Sequence, residues 1–322
     1  MSLSSRRTFL QLATVGGLMM MQGGTARASQ TGGSVPFRFR SGGDPVIGAL
    51  HLPAGQPKAA VVLCGAWTAV KEQAAGLYAR ALAERGYAAL AFDHRYFGES
   101  GGNPRQLESP QAKVEDVRSA VTALLAHQAT RGLPVMGVGL CAGGGYMAKA
   151  VAQDDRIRAF AGVAGAYSDA AELRARMPDL DRLIARGVAA RERFERTGTS
   201  ETIPAVGLSG GDVAMPFAEA HDYYGRRAAH SNYVNGFAVQ SYAEVLSWDA
   251  IGYAPAIRVP VLVVHSNQAA MPHLARRFLA EVRGRKSELW LTSTNHVDFY
   301  DNPKLIAAAA NAIAAHFSAS WP

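Results

Sequence analysis

The sequence predicts an α/β domain: a mostly parallel central sheet, helices on both faces, and a helical lid inserted at about 169–248. Three observations carry this. Short, continuously apolar runs recur along the chain, as strands buried on both faces require. Helix-like periodicity fills the spaces between them, the pattern of parallel strands joined by crossovers. From about 169 that alternation pauses. The chain turns helical and loop-like there, rich in Arg and in aromatics such as Phe217, Tyr223, Tyr224 and Tyr242.

Residues 37–40 and 46–52 alternate in polarity like an antiparallel hairpin at a sheet edge. Residues 59–63 form an apolar run fit for a buried strand, 73–84 a helix ending near Gly86, and 88–92 the next strand. A helix over 110–127 precedes a central strand at 135–138. A second helix starts after the glycines at 143–145 and runs to about 153, followed by a strand at 157–163. Beyond the insertion, 259–265 restores the sheet, 271–283 is helical and 288–291 is the last strand. Asn302 and Pro303 read as the N-cap and first residue of a closing helix.

The first 28 residues have a different character. Ser5-Arg6-Arg7-Thr8-Phe9-Leu10 is a twin-arginine export pattern, 10–21 is mostly apolar, and Ala26-Arg27-Ala28 is a small-x-small cleavage signal. The apolar stretch is broken by Gly16 and Gly17 and is shorter than the ~20 residues of a spanning helix. A periplasmic or secreted protein is therefore expected, with residues 29–322 as the folded domain, the export machinery as a partner and no stable membrane anchor. Loss of Arg6, Arg7 and Arg27 lowers the formal charge from +7 to +4, with no basic stripe, which argues against nucleic acid. Two cysteines are too few for a disulfide scaffold and lack the clustering of a zinc site. No phosphate loop or dinucleotide fingerprint occurs, so neither cofactor nor metal is expected.

Chemistry concentrates at Gly139-Leu140-Cys141-Ala142-Gly143, a G-x-C-x-G segment between a buried strand and a helix. Such a sharp turn strains its central residue and needs small neighbours two before and two after. The central side chain then projects above the sheet at the positive end of the following helix, where a thiolate is favoured. The N–H of Ala142 faces the place where an acyl oxygen gains charge, and a second donor is expected from Ala66 or Trp67, after the strand at 59–63.

These features resemble the α/β-hydrolase superfamily over about 45–318. Asp93-His94-Arg95-Tyr96-Phe97-Gly98-Glu99-Ser100 is similar to its D-x-R-G-x-G-x-S segment, with Tyr96-Phe97 where one glycine is usual. Asn295-His296-Val297-Asp298-Phe299-Tyr300-Asp301 resembles the histidine-bearing loop after the last strand. With Trp67-Thr68 and Lys71-Glu72, the cysteine elbow resembles a branch similar to dienelactone hydrolases and hydrolase-like polyketide transferases. The resemblance implies the chain order nucleophile, acid, histidine, and hence His296 as general base for Cys141.

The acid is where the pattern fails, because the loop Ser266-Asn267-Gln268-Ala269-Ala270 has no carboxylate. Asp169, beyond the strand at 157–163, is the first choice to orient His296. Asn267 is the other, since a cysteine–histidine pair tolerates an amide. Asp298 and Asp301 read as caps of the next helix, His94 and His265 as residues near strand ends, and Glu72 as solvated or facing the site. Cys64 ends the strand beside the elbow strand, so it is either a small buried residue or the partner of a Cys64–Cys141 disulfide switch. The expected reaction is hydrolysis of an ester, thioester or lactone through an acyl-cysteine, on a small apolar or ring-containing acyl substrate. An acyltransferase using the same cysteine and a non-catalytic binding protein are the rivals.

Overall fold

The computed structural model describes residues 32–208 and 210–321. The export signal read at 1–28 lies outside them. Strands β1 (Gly33–Ser41) and β2 (Asp44–Leu52) form the antiparallel hairpin at one sheet edge. Gly42 and Gly43, both at positive φ, make its two-residue turn. The chain then alternates as expected: β3 (Ala60–Cys64), α1 (Ala74–Ala83), β4 (Ala88–Phe92), α2 (Pro110–Ala126), β5 (Val135–Leu140), α3 (Ala142–Gln153) and β6 (Ile157–Val163). After the insertion come β9 (Val261–His265), α8 (Pro272–Glu281), β10 (Lys286–Trp290), α9 (Asp298–Asp301) and α10 (Pro303–Ser320). The inserted segment carries α4 (Ala170–Arg176), α5 (Leu180–Thr197), α6 (Ala218–Asp222) and α7 (Tyr242–Val245). Its strands β7 (Thr202–Ile203) and β8 (Phe237–Ala238) pair only with each other.

The main sheet has the order β1-β2-β4-β3-β5-β6-β9-β10, and β2 joins β4 antiparallel. Every pairing from β4 to β10 is parallel. Because successive strand residues face opposite sides, each buried strand feeds two cores. Val61 and Leu63 pack with Ala89 and Ala91 on the face covered by α1 and α10. Ala60, Val62 and Cys64 pack with Leu90 and Phe92 on the face covered by α2, α3 and α8. Ser109 caps α2 by accepting from the Ala112 N–H, and Asn302 caps α10 as expected.

Several boundaries differ from expectation by a few residues. The last strand is 286–290 rather than 288–291, and α3 begins at Ala142, so the glycines at 143–145 lie inside the helix. The reason is proximity. A Cβ on Gly143 would sit 2.2 Å from the Cys64 carbonyl oxygen, and one on Gly139 would sit 2.4 Å from that of Gly143. Helix and strands touch backbone to backbone, and neither side can yield. Gly143→Ala is expected to cost ~3 kcal/mol or more, read as a fall in the urea midpoint, whereas Gly225→Ala, with open space around it and no positive φ, lacks this clash.

Candidate active site

The elbow is built as its sequence required. Cys141 sits at φ 53° and ψ −125°, outside the ordinary regions for a side-chain-bearing residue. The surroundings over-determine it. Its N–H donates to the Val163 carbonyl (3.1 Å), and its own carbonyl accepts from the N–H groups of Gly144 and Ala166, both at 2.8 Å. The sulfur thereby stands at the N-terminus of the 12-residue α3, opening into a cavity of about 400 Å³.

Burial pushes the Cys141 thiol up, the largest effect. The Tyr300 hydroxyl and the N–H groups of Ala142 and Trp67, close to the sulfur, pull the other way. Of the donors expected after β3, Trp67 supplies its N–H. Ala66 instead has its carbonyl engaged by the Ala69 N–H and the buried Lys113. A buried network holds this loop. The Glu108 carboxylate accepts from the Thr68 N–H (3.0 Å), pairs with Lys113 at 2.8 Å and accepts from the Tyr146 hydroxyl at 3.0 Å. Thr68 lies at φ 56°, so the anchor also holds a strained residue. Sequence reasoning missed Glu108 and Lys113, since a helix-start glutamate and a helical lysine read as solvated.

His296 opens into the same cavity, yet no hydrogen bond joins it to Cys141. Its Nδ1 accepts from the Ala270 N–H (3.2 Å), and its Nε2 lies 2.8 Å from the Tyr300 hydroxyl. The expected acid is absent from it. Asp169 caps α4 by accepting from the Glu172 N–H (2.8 Å) and pairs with Arg277 at 2.6 Å, so its oxygens are committed away from the imidazole. Asn267 accepts from Arg276 at 2.7 Å. Among the described residues no carboxylate hydrogen-bonds His296, and its one charged influence is Glu219 at the cavity rim. Tyr300 stands four residues after His296 in the histidine loop, and that spacing is the signal the sequence offers for it.

Burial holds His296 down to about 4, and the same cause holds His316 there. An unfolded histidine titrates near 6.5. Above that value neither state takes the proton. Between about 6.5 and 4 the unfolded chain does and the folded chain does not, so stability falls as pH falls through this window. Urea midpoints are expected to drop already between pH 6.5 and 5, with a shallower slope for His316→Gln.

The remaining residues fall elsewhere. Glu72 pairs with Lys71 at 2.7 Å and accepts from Asn232 of the insertion, outside the cavity lining. The Asp298 carboxylate accepts from the Thr294 N–H and hydroxyl, and Asp301 pairs with Arg227. Cys64 and Cys141 are both free. They pack against opposite cores, with the Cys64 sulfur 3.4 Å from His94 Nε2 and His94 Nδ1 3.1 Å from Asp116. Among the described residues no helix is long and apolar enough to cross a membrane, and no group of three or more His, Cys, Asp or Glu is placed to hold a metal.

A sheet of this order, with a strained residue between its central strand and the next helix, defines an α/β-hydrolase. The family described as serine aminopeptidase, S33 matches residues 55–294, and the chain belongs to it. It carries cysteine at the elbow, although the family's description names a serine. The chain is 29% identical over 267 residues to uncharacterized protein YcjY of Escherichia coli K12, covering 80% of this chain and 87% of that one. It is 30% identical over 269 residues to uncharacterized protein PA2218 of Pseudomonas aeruginosa, covering 78% and 71%. The crystal structure of PA2218 superposes with a TM-score of 0.79 at 28% identity, over 90% of this chain and 94% of that one. The α/β hydrolase GrgF from Penicillium sp. sh18 shares the fold, with a TM-score of 0.75 at 21% identity over 90% and 100%.

Proposed function

We propose that this α/β-hydrolase is exported and cleaves an ester, thioester or lactone through an acyl-cysteine on Cys141. One observation carries the reading: the Cys141 sulfur opens into a mostly apolar cavity that His296 also lines, with the N–H groups of Ala142 and Trp67 beside it. Nucleophilic acyl transfer needs a polarisable nucleophile, donors where the carbonyl oxygen gains charge, and a dry wall around both. Attack of the sulfur places that oxygen at the two N–H groups. Collapse leaves the acyl group on Cys141, and water then releases it.

The cavity chemistry supports an apolar substrate. Trp67, Met215, Phe217, Tyr224, Leu246 and Trp248 line it, five of them from the inserted segment. Glu219 is the one carboxylate in the lining, so a neutral acyl group is favoured and a carboxylate-bearing one repelled. The absence of an acid on His296 is the observation that favours the rival reading, a binding protein. Intact mass after brief mixing with a small activated ester separates the two. An acyl mass mapped to Cys141 is expected; no adduct and no turnover, with both thiols free, overturns hydrolysis in favour of binding.

A further inference from the structure

The proton on His296 can be located from its partners. A backbone N–H can only donate, so Nδ1, which accepts from Ala270, carries no hydrogen. Burial keeps the ring neutral at physiological pH, and a neutral imidazole then bears its hydrogen on Nε2. Nε2–H donates to the Tyr300 oxygen at 2.8 Å. That leaves the phenol's own hydrogen free to turn to the Cys141 sulfur, which lines the same cavity. Tyr300 is held in place for this, buried and edge-on to Tyr223 with ring centroids 5.1 Å apart. The chain of donors has one direction: Ala270 to His296, His296 to Tyr300, Tyr300 to Cys141.

We propose that Tyr300 is a catalytic residue that donates its O–H to the Cys141 sulfur, and that His296 is a positioning residue acting through it rather than the base. The inference rests on Cys141 being the nucleophile. The thiol gives its proton to water in the cavity, and the thiolate is then held by three donors, Tyr300 O–H, Ala142 N–H and Trp67 N–H. The sulfur lone pair forms the C–S bond while the carbonyl π pair moves to oxygen. As the carbonyl re-forms, the bond to the leaving group breaks, and that group takes a proton from water. A base role for His296 would place Nδ1–H against the Ala270 N–H, two donors face to face. The arrangement therefore also explains why no acid is bonded to His296: a ring kept neutral as a donor needs no carboxylate behind it.

The test is alkylation of Cys141 by iodoacetamide against pH, with acylation by a small activated ester, in wild type, Tyr300→Phe, His296→Ala and the double variant. The charged groups facing the sulfur, Glu108 with Lys113 and Glu219 at the rim, are common to all four. Tyr300→Phe is expected to move the alkylation profile to higher pH and slow acylation about 10- to 100-fold, the range for a hydrogen bond to a charged group. Adding His296→Ala to Tyr300→Phe is expected to change little further, because both act along one chain. An unshifted profile in Tyr300→Phe, or a His296→Ala loss as large in that background as in wild type, overturns the proposal. If Tyr300→Phe fails to fold, 3-fluorotyrosine at 300 makes the donor more acidic. The profile then moves to lower pH if the proposal holds, and stays put if it does not. An acyl adduct persisting in Cys141→Ala refutes the nucleophile itself; an adduct on Cys141 with additive variants refutes only the role of Tyr300.

Discussion

Cys141→Ala is expected to lose roughly 10⁴- to 10⁶-fold in ester turnover, the scale on which removal of a nucleophile acts. The same variant should show no acyl adduct by mass while unfolding at a temperature close to wild type. Cys141→Ser is the sharper experiment, because the family is named for a serine. A serine hydroxyl is attacking-competent only when an oriented base removes its proton, and orientation comes from an acid behind the histidine. Here His296 has a backbone N–H on Nδ1 and no bonded carboxylate among the described residues. A cysteine can ionise ahead of attack and dispense with that base. Cys141→Ser is therefore expected to lie near Cys141→Ala in rate. Activity within tenfold of wild type would mean that His296 works as a base despite its partners.

Lys113→Met is expected to destabilise the fold by about 3–5 kcal/mol, measured by urea denaturation, because it strands a charge with no access to water. Glu108 is fully buried, and Lys113 stands 2.8 Å from it in the same dry layer beneath the loop that carries Trp67. Pairing Lys113→Met with Glu108→Gln should recover most of the loss, since the amide still accepts from the Thr68 N–H without the charge. A single variant no worse than the double one would show that water reaches Glu108. Acylation should fall in Lys113→Met even below its unfolding midpoint, as a loosened Thr68 releases the neighbouring Trp67 donor.

What the sequence displayed well was backbone. Apolar runs at 59–63, 88–92 and 259–265 could only be strands buried on both faces, and small residues at 139 and 143 could only serve a close crossing. Cys141 followed from those glycines. Harder to see were side-chain partnerships, because they join residues far apart along the chain. Glu108 meets Thr68 and Tyr146, and Asp169 turns toward Arg277 instead of His296. Nothing in single residue types announces such choices. Because the resemblance puts the acid after 259–265, where no carboxylate stands, Asp169 followed only from its place after β6. It then proved to be engaged as a helix cap, a competing use that short polar side chains have wherever a helix begins. Tyr300 was legible by its spacing from His296, yet a tyrosine in an apolar stretch reads first as packing.

The fully buried trio Cys64, His94 and Asp116 puts a limit on recognising catalysts by constellation. By partner count it is more complete than the pair beside the cavity, having thiol, imidazole and carboxylate in sequence at 3.4 and 3.1 Å. It has no way in. The thiol is pushed up to about 12 by burial, and Asp116 is also bonded by Arg95, so the set acts as a clasp between β3, the segment after β4 and α2. The same residue types thus serve as a fastener on one side of the sheet and, in the function proposed above, as reagents on the other. Evolution of a new activity on this scaffold would therefore begin with excavation, the opening of a passage to groups already aligned, rather than with the invention of the groups.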